Sequence, residues 1–284
     1  MKVAAIQMVS ATSVPANLAS ARALLQEAAL AGAELAVLPE YFCLLGRRDT
    51  DKLAIQETFG SGEIQTFLST AARELGLWIV GGTLPLVAEQ LPGGTAAGRV
   101  YNASLVFSPR GQCVARYDKI HLFKFDRGQE SYDESRVLVR GQQPVKFELL
   151  DRSGQTWRIG MSVCYDLRFP ELYRGYAKSG VDMLLVPSAF TYTTGQSHWE
   201  VLLRARAIEN QAFVVAPAQG GLHENGRRTW GHSLLVGPWG EILGELAVNA
   251  GLVCHDLDFA LLKNCQTSLP AQSHRVLPNL LSAI

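Results

Sequence analysis

SVCYDLRFPEL, residues 162–172, joins the end of an apolar strand pattern to the start of a helix pattern. The apolar run ends at Val163, and Pro170 stands where a helix can begin, because proline fits the first turn of a helix. Cys164 lies in the turn between the two patterns. A sharp strand-to-helix turn holds its middle side chain at the top of a sheet. This stretch therefore predicts an α/β fold with a cysteine at a strand end.

Strand and helix patterns alternate on both sides of this turn. A β-α-β-α-β series comes first, and the strand patterns that follow it are joined mostly by turns. After Cys164 a helix, a strand, a helix and a strand lead into a final meander. The predicted strands are 2–8, 33–40, 77–83, 100–107, 111–119, 144–151, 155–163, 182–189 and 212–219, and the predicted helices are 17–31, 63–75, about 170–179 and about 198–210.

The composition is that of a chain with much buried surface. Charged residues make up only 18% of it, against about 25% in ordinary domains, which indicates a large core, an oligomer interface, or both. The formal net charge of zero argues against nucleic acid as a partner, since that would need a basic excess. With no linker in view, we expect a single domain over residues 1–284, with two sheets covered by helices on their outer faces.

No targeting or membrane segment is expected. The apolar start of the chain is interrupted by Gln7 and Ser10, which is too broken for a signal peptide. No apolar run approaches the ~20 residues that cross a bilayer. The five cysteines contain no CxxC pair, so they predict neither a disulfide framework nor a zinc site. We expect a soluble, cytoplasmic protein in a reducing compartment that binds neither nucleic acid nor membrane.

Cys164 differs from the other cysteines. Free cysteine is usually a small buried hydrophobe, and Cys43, Cys113, Cys254 and Cys265 fit that description. Cys164 instead has a predicted helix start and a cation close behind it. Helix N–H groups and a nearby cation lower the pKa of a thiol, so a lowered pKa is expected here.

Two more charged residues stand at strand ends. Glu40 ends the second strand pattern in LPEYF (38–42), and Lys119 ends a later one in YDKIHLF (117–123). Each alone is more often a surface residue than a functional one. His121 is expected to pack or to bond locally, because nothing pairs it with a nucleophile.

The three strand-end residues suit one reaction. Hydrolysis of an amide through a thioester needs a nucleophile, a base that takes its proton, and positive charge at the developing oxyanion. Cys164, Glu40 and Lys119 supply these functions, and the backbone N–H of Tyr165 is a second oxyanion donor. The combination indicates a hydrolase that acts on linear amides.

At this point the chain resembles the nitrilase superfamily, the carbon–nitrogen hydrolases, over nearly its whole length. The segments that carry the resemblance are LPEYF, YDKIHLF, CYDLRFPEL (164–172) and GHSLLVGPWGEI (231–242). The resemblance implies a four-layer αββα sandwich, a Glu–Lys–Cys triad, no metal and no organic cofactor. It also implies a homodimer or higher oligomer, with the C-terminal segment, about 260–284, packing on a partner subunit.

The resemblance implies a second glutamate beside the catalytic lysine as well. Glu134 is the position that matches, and Glu130 is a competitor four residues earlier.

The segment VPSAFTYTTGQSHWEVLLRARAIENQ (186–211) resembles the branch that hydrolyses glutamine-like amides whose amino group has been lost. The predicted reaction is cleavage of the terminal amide of a small carboxylate-bearing compound through a cysteine thioester, with release of ammonia. Deaminated glutathione is the first candidate substrate and 2-oxoglutaramate the second.

Such a substrate needs a fixed cation in the pocket. Arg168 is the best candidate, since a guanidinium binds a carboxylate in a bidentate fork. The alternative is a structural salt bridge from Arg168 to Asp166 or Glu171. The other predicted substrate-binding residues are Tyr165, Phe190, Tyr192 and Thr194. Separately, Arg204 and Arg206 are expected to be structural partners of Glu200 and Glu209.

Other functions stay open at this stage. A nitrilase or an N-carbamoyl amino-acid hydrolase uses the same Glu–Lys–Cys triad. A non-catalytic binding scaffold is a further alternative, although such a protein is expected to lack a triad member. A cysteine redox protein is disfavoured, since no resolving cysteine lies near Cys164 in the sequence.

Overall fold

The computed structural model describes residues 1–88, 98–128 and 130–276. Its strands are β1 (Lys2–Gln7), β2 (Leu35–Val37), β3 (Trp78–Val80), β4 (Leu84–Val87), β5 (Val100–Phe107), β6 (Cys113–Asp118), β7 (Lys124–Arg127), β8 (Glu130–Asp133), β9 (Leu138–Val139), β10 (Lys146–Leu150), β11 (Thr156–Met161), β12 (Met183–Leu185), β13 (Phe213–Ala216), β14 (Gly220–Leu222), β15 (Arg228–Trp230), β16 (Ser233–Val236), β17 (Ile242–Leu246) and β18 (Gly251–Asp256). Its helices are α1 (Val14–Leu30), α2 (Asp51–Ala54), α3 (Glu63–Leu75), α4 (Pro170–Lys178), α5 (Tyr192–Asn210) and α6 (Phe259–Ser268). Two short 3-10 helices span Glu134–Arg136 and Cys164–Arg168.

The strands form two large sheets and two hairpins. The first sheet has the order β18-β1-β2-β3-β5-β4, and β6 and β9 also pair with β5. The second has the order β10-β11-β12-β13-β16-β17. The centres of both sheets, β1-β2-β3 and β11-β12-β13, are parallel, as the alternation of strands and helices requires. The separate hairpins are β14–β15 and β7–β8.

The two sheets pack face to face. Successive side chains of a strand point to opposite faces, and in β1 this alternation separates two cores. Val3 and Ala5 belong to the core between the sheets, together with Ile159 of β11. Ala4 and Ile6 belong to the core that the first sheet makes with α1 and α3.

Helices α4 and α5 cover the outer face of the second sheet. Gly160 of β11 allows close approach there, because a Cβ at this position would lie 2.9 Å from the ring of Tyr176 on α4. The layers are therefore helix, sheet, sheet and helix, and the predicted four-layer αββα sandwich is confirmed.

Two helices begin earlier than the sequence pattern predicted. Helix α1 begins at Val14 with a proline in its first turn. Asn17, the first residue of the helix predicted over 17–31, is a residue type that often caps helices. Its amide is instead buried and bonds the backbone of Ala11 and the Cys43 carbonyl. Helix α5 begins at Tyr192 rather than near residue 198, because the Thr191 hydroxyl caps it.

The last described helix packs on its own chain. Leu262 and Cys265 of α6 are buried, and the side chain of Gln211, just past α5, donates to the Leu269 carbonyl. Residues 277–284 lie outside the described part of the chain. Packing of segment 260–284 on a partner stays a prediction, and so does the single domain over residues 1–284. Within residues 1–88, 98–128 and 130–276, no helix is both long enough and apolar enough to cross a membrane.

Candidate active site

Glu40 lies just past the carboxyl end of β2 and is buried. Its Oε1 accepts hydrogen bonds from the Lys119 ammonium and the Asn102 amide, both at 2.9 Å. Its Oε2 accepts a third from the Ala189 backbone N–H at 3.0 Å. A buried carboxylate needs such partners, and these hold it in one orientation.

Lys119 follows β6 directly and is fully buried. Its Nζ lies 2.9 Å from Glu40 Oε1 and 2.9 Å from Glu134 Oε2. Burial opposes the charge, but the two carboxylates outweigh it and hold the pKa of Lys119 well above its usual value. The Lys119 carbonyl accepts from the N–H of Gly141. Only glycine fits there, since a Cβ would lie 2.0 Å from the Asp118 carbonyl oxygen.

Glu134 begins the first 3-10 helix and bonds Lys119 from a second direction. It also accepts from the Tyr41 hydroxyl at 2.9 Å and from the Phe123 backbone N–H at 2.7 Å. Burial would raise the pKa of Glu134, but the Lys119 charge and the Phe123 N–H outweigh it, so the pKa is lowered. Glu134 thus lies beside the lysine, where the second glutamate was predicted. The side chain of Glu130 lies outside what the structure describes.

Cys164 begins the second 3-10 helix in a strained conformation. Its φ is +49°, in the left-handed region that non-glycine residues seldom adopt. Its backbone N–H donates to the Pro187 carbonyl at 3.0 Å, beside the carboxyl end of β12. Strain of this kind persists where the surrounding structure imposes it and is frequent at active sites.

The pKa of the Cys164 thiol is raised, not lowered. Burial is the largest cause, and the negative charges of Glu40 and Glu134 add to it, while Lys119 and the Ala189 N–H act in the opposite direction. The expected lowering is therefore wrong. The 3-10 helix separates Cys164 from the start of α4 at residue 170, and the nearest carboxylates oppose ionisation. A buried neutral thiol needs a base before it can act as a nucleophile.

A cavity opens onto these side chains. Glu40, Glu134 and Cys164 line it, and Lys119 bonds the two carboxylates. The structure therefore brings all four residues of the predicted catalytic set to one place. The remaining lining residues are Tyr41, Phe123, Tyr165, Arg168, Ala189, Phe190, Thr191, Thr194 and Arg227.

Four of the five predicted substrate-binding residues are part of this lining, and Tyr192 is not. Its ring packs edge-on against Trp230, with centroids 5.1 Å apart, and the Arg228 guanidinium lies 3.8 Å from the ring centre. Tyr192 is the first residue of α5, and the turn of the helix directs Thr191 and Thr194 to the cavity instead.

Arg168 lies at the end of the 3-10 helix and is partly buried. Its guanidinium lies 5.7 Å from the ring centre of Tyr165 and 5.9 Å from that of Phe190, and its Nη2 is 3.2 Å from His198 Nδ1. The salt bridges of the described residues include none to Arg168. The alternative of a structural ion pair is therefore wrong.

Asp166 has other partners. Its Oδ2 accepts from the Tyr117 hydroxyl at 2.6 Å and the Val163 N–H at 2.8 Å. Its Oδ1 accepts from the His121 N–H at 3.0 Å and lies 2.7 Å from His121 Nδ1. The His121 ring also stacks on Phe169 with centroids 3.7 Å apart, so the prediction that it packs and bonds locally is confirmed.

Several residues of the site were missed at the sequence level. Asn102, which orients Glu40, carried a detectable signal, since it is a lone amide inside the apolar strand pattern VYNASLVF. Tyr41 adjoins Glu40 but reaches Glu134. Arg227 lies in a turn far along the sequence, and nothing in its local pattern pointed to the cavity.

Two arginines of α5 follow expectation, whereas only two of the four cysteines expected to be buried do so. Arg204 pairs with Glu200 at 3.1 Å and Arg206 with Glu209 at 2.9 Å, as predicted. Cys43 and Cys265 are buried, and burial raises the pKa of Cys43 to about 12. The prediction was wrong for Cys113, which is exposed, and for Cys254, which is only partly buried, because each stands in a strand with an open face. Among the residues that the structure describes, no three His, Cys, Asp or Glu side chains are grouped as a metal site.

The chain is similar to known proteins over almost all of its length. A family model described as carbon-nitrogen hydrolase matches residues 2–267. Deaminated glutathione amidase of a Synechocystis strain is 40% identical over 274 residues, which are 96% of this chain and 97% of that protein. Omega-amidase NIT2 of Pongo abelii is 34% identical over 270 residues, which are 95% of this chain and 92% of that protein.

Solved structures with the same arrangement include the C. elegans NitFhit protein, with a TM-score of 0.84 and 32% identity. The match covers 96% of this chain, which spans 64% of the longer NitFhit chain. A mutant of the amidase from Nesterenkonia sp. AN1 has a TM-score of 0.73 and 27% identity, over 95% of this chain and 98% of that one. It shows the result of Michael addition of acrylamide at the active site cysteine.

Proposed function

We propose that this chain, which belongs to the carbon–nitrogen hydrolase family and hydrolyses amide C–N bonds, acts on a short ω-amide that carries a carboxylate. Deaminated glutathione is the first candidate and 2-oxoglutaramate the second, in keeping with the names of the relatives. The observation that carries the proposal is the composition of the cavity. The Cys164 thiol lines it together with two carboxylates that share the buried Lys119 ammonium. The Arg168 guanidinium also lines it and has no carboxylate partner among the described residues.

In the first half of the proposed reaction, Cys164 Sγ attacks the amide carbonyl carbon. Glu40 takes the thiol proton as the new S–C bond forms, which the raised pKa of the thiol requires. The carbonyl oxygen becomes an oxyanion, and the Lys119 ammonium and the Tyr165 backbone N–H stabilise it. Glu134 keeps Lys119 charged and in position.

The tetrahedral intermediate then breaks its C–N bond, and Glu40 returns the proton to the departing nitrogen. A primary amide such as 2-oxoglutaramate releases ammonia. Deaminated glutathione releases the amine of a dipeptide instead, because its amide nitrogen belongs to that dipeptide. Ammonia release, expected from the sequence for both substrates, is thus proposed for the primary amide alone. Water, deprotonated by Glu40, next attacks the thioester, and the carboxylic acid leaves as the thiol takes up the proton.

Arg168 is proposed to bind the carboxylate of the acyl part of the substrate. Its guanidinium lies against the rings of Tyr165 and Phe190, which limit its motion. A guanidinium held in this way presents two parallel N–H groups to a carboxylate, and an ammonium has no such fork.

The experiment that tests the pocket compares Arg168→Lys with the wild type. For 2-oxoglutaramate, kcat/KM is expected to fall about ten- to hundredfold, since a charge-assisted hydrogen bond contributes ~1.5–3 kcal/mol. Arg204→Lys, on the exposed face of α5, is the matched control and is expected to leave kcat/KM unchanged. If neutral amides or nitriles of the same length are turned over as well as 2-oxoglutaramate by the wild type, the carboxylate pocket is refuted and a nitrilase or broad aliphatic amidase is the better description.

A homodimer in the cytoplasm is part of the same proposal. Support comes from apolar side chains left exposed where α5 meets the turn between β16 and β17: Ile208 is 51% exposed and Trp239 61% exposed. The Arg204 side chain bonds the Gly240 carbonyl there, so these residues belong to one surface. Sedimentation of wild type and Trp239→Glu tests it, because a charge in an apolar interface is expected to shift the dimer toward monomer.

A further inference from the structure

A second guanidinium lines the cavity, and the proposed reaction on a substrate with one carboxylate does not use it. Arg227 is partly buried in the turn between β14 and β15 and lines the same cavity as Cys164. Its guanidinium lies 5.0 Å from the ring centre of Tyr132, which belongs to β8. Among the described residues, no carboxylate forms a salt bridge with it.

The chain holds Arg227 in place through its backbone. The Arg227 N–H donates to the side chain of Asn225 at 2.9 Å, and the Arg227 carbonyl accepts from the His223 N–H at 2.9 Å. Asn225 in turn donates to the carbonyls of Leu45 and Gly46. The turn is therefore fastened to the loop that follows Glu40, which fixes the Arg227 backbone beside the cavity.

Arg168 and Arg227 belong to different parts of this wall. Arg168 contacts Tyr165, Phe190 and His198, on the 3-10 helix, the loop before α5 and α5 itself. Arg227 contacts Tyr132 of β8. Because the two sets of neighbours do not overlap, two separate anions can each meet one guanidinium.

The carboxylates of the cavity leave the guanidinium groups of Arg168 and Arg227 available to bind an anionic substrate. Glu40 and Glu134 both bond Lys119, so neither is free to neutralise an arginine. A guanidinium shielded from water is stabilised by a carboxylate in a bidentate pair. A substrate with one carboxylate satisfies one arginine and leaves the other without a counter-ion.

Resting on the proposed amide hydrolysis, we infer that Arg227 binds a second carboxylate, carried by the amine that leaves. The substrate class is then a secondary ω-amide with one carboxylate on the acyl part, facing Arg168, and one on the departing amine, facing Arg227. The covalent steps stay the same. Deaminated glutathione has this chemistry, whereas 2-oxoglutaramate lacks the second carboxylate.

The experiment measures one ratio for each variant: kcat/KM for deaminated glutathione divided by kcat/KM for its analogue with a carboxamide in place of the terminal carboxylate. Because the ratio is taken within one preparation, partial misfolding does not change it. In Arg227→Gln the ratio is expected to fall about 10- to 100-fold, the effect of losing a charge-assisted hydrogen bond. The ratio for Arg227→Lys is expected to lie between those of Arg227→Gln and the wild type, since lysine keeps the charge but cannot form two parallel hydrogen bonds.

Arg228→Gln is the matched control. Arg228 is the next residue along the chain, but it lies over the ring of Tyr192 and not in the cavity, so the wild-type ratio is expected to remain. The inference is overturned if the wild-type ratio is near 1, or if Arg227→Gln keeps the wild-type ratio. In either case hydrolysis of 2-oxoglutaramate by the wild type still supports the proposed function. Failure of the wild type on all three amides refutes the proposed function and the inference together.

Discussion

Asp166 joins the two chain segments that carry the reacting groups, and its removal is expected to affect stability and catalysis together. Its carboxylate accepts from Val163, the residue before Cys164. It also accepts from Tyr117 and His121, which stand two residues before and two residues after Lys119. The position of the nucleophile relative to the ammonium therefore depends on this one fully buried side chain.

Asp166→Asn keeps the shape of the side chain and replaces one oxygen by an amino group. The new amino group faces the donors that bonded the replaced oxygen. The two hydrogen bonds that this oxygen accepted are therefore lost. Hydrogen bonds to a charged group contribute about 1.5–3 kcal/mol each, so about 3–6 kcal/mol of unfolding free energy is expected to disappear. At about 2–4 °C of Tm per kcal/mol for a domain of this size, Tm is expected to fall by roughly 6–24 °C.

Scanning calorimetry and steady-state kinetics, the latter well below the Tm of the variant, measure the two effects. We expect kcat to fall more than KM rises, because the ground-state cavity persists while the thiol and ammonium lose their alignment. Asp258→Asn is the control: Asp258 is exposed and caps α6, where asparagine is an equally good cap. A Tm for Asp166→Asn within 1 °C of the control, or an unchanged kcat, refutes the reasoning.

Three further predictions concern the reacting groups and the acid stability of the fold. Cys164→Ala is expected to abolish turnover and to leave Tm near the wild-type value, and mass spectrometry of the wild type with substrate is expected to show a stoichiometric acyl adduct. Full activity in that variant would exclude the cysteine as the nucleophile. Glu40→Gln is expected to lower kcat by ~10²–10⁴-fold, the range of general-base catalysis. Glu134→Gln is expected to lower kcat less, because Glu134 acts through the lysine. Equal losses of kcat in the two variants would make Glu134 a direct participant. Burial opposes ionisation of Asp151, but its hydrogen bonds lower its pKa from 3.8 to about 2. The stability that it contributes is present above pH ~4 and lost as the pH falls through about 2. Asp151→Asn is thus expected to destabilise the fold at pH 7 and to differ little from the wild type at pH 2, measured by urea unfolding at both pH values; an equal loss at both would contradict the assigned cause.

The sequence alone was enough for the fold class and for the three strand-end residues of the site. Apolar periodicity and turn chemistry are properties of consecutive residues, so they locate β2, β6 and β11 and show that Glu40, Lys119 and Cys164 end or follow them. A common site was predicted from the chemistry that the three side chains share and from the family resemblance. Their meeting depends on the packing of the two sheets, since β2 and β6 belong to the first sheet and β11 to the second.

Local sequence patterns did not predict where helices α1 and α5 begin or which residues of α5 line the cavity. Asn17 is a residue type that often caps helices, but its side-chain amide donates to the Cys43 carbonyl in a distant loop. Tyr192 begins α5, and only the rotation of that helix in the fold decides that Thr194 faces the cavity and Tyr192 does not. Such outcomes depend on contacts with segments far away in the sequence.

The electrostatics of the site came from the tertiary structure alone. A helix start and a cation near Cys164 predicted a lowered pKa, yet burial and the carboxylates of Glu40 and Glu134 raise it. The pKa of a group depends on desolvation and on the distance to every nearby charge, and these charges come from loops that meet only when both sheets are packed. For the same reason Arg227, more than sixty residues beyond the cysteine, becomes a neighbour of the nucleophile only in the folded chain.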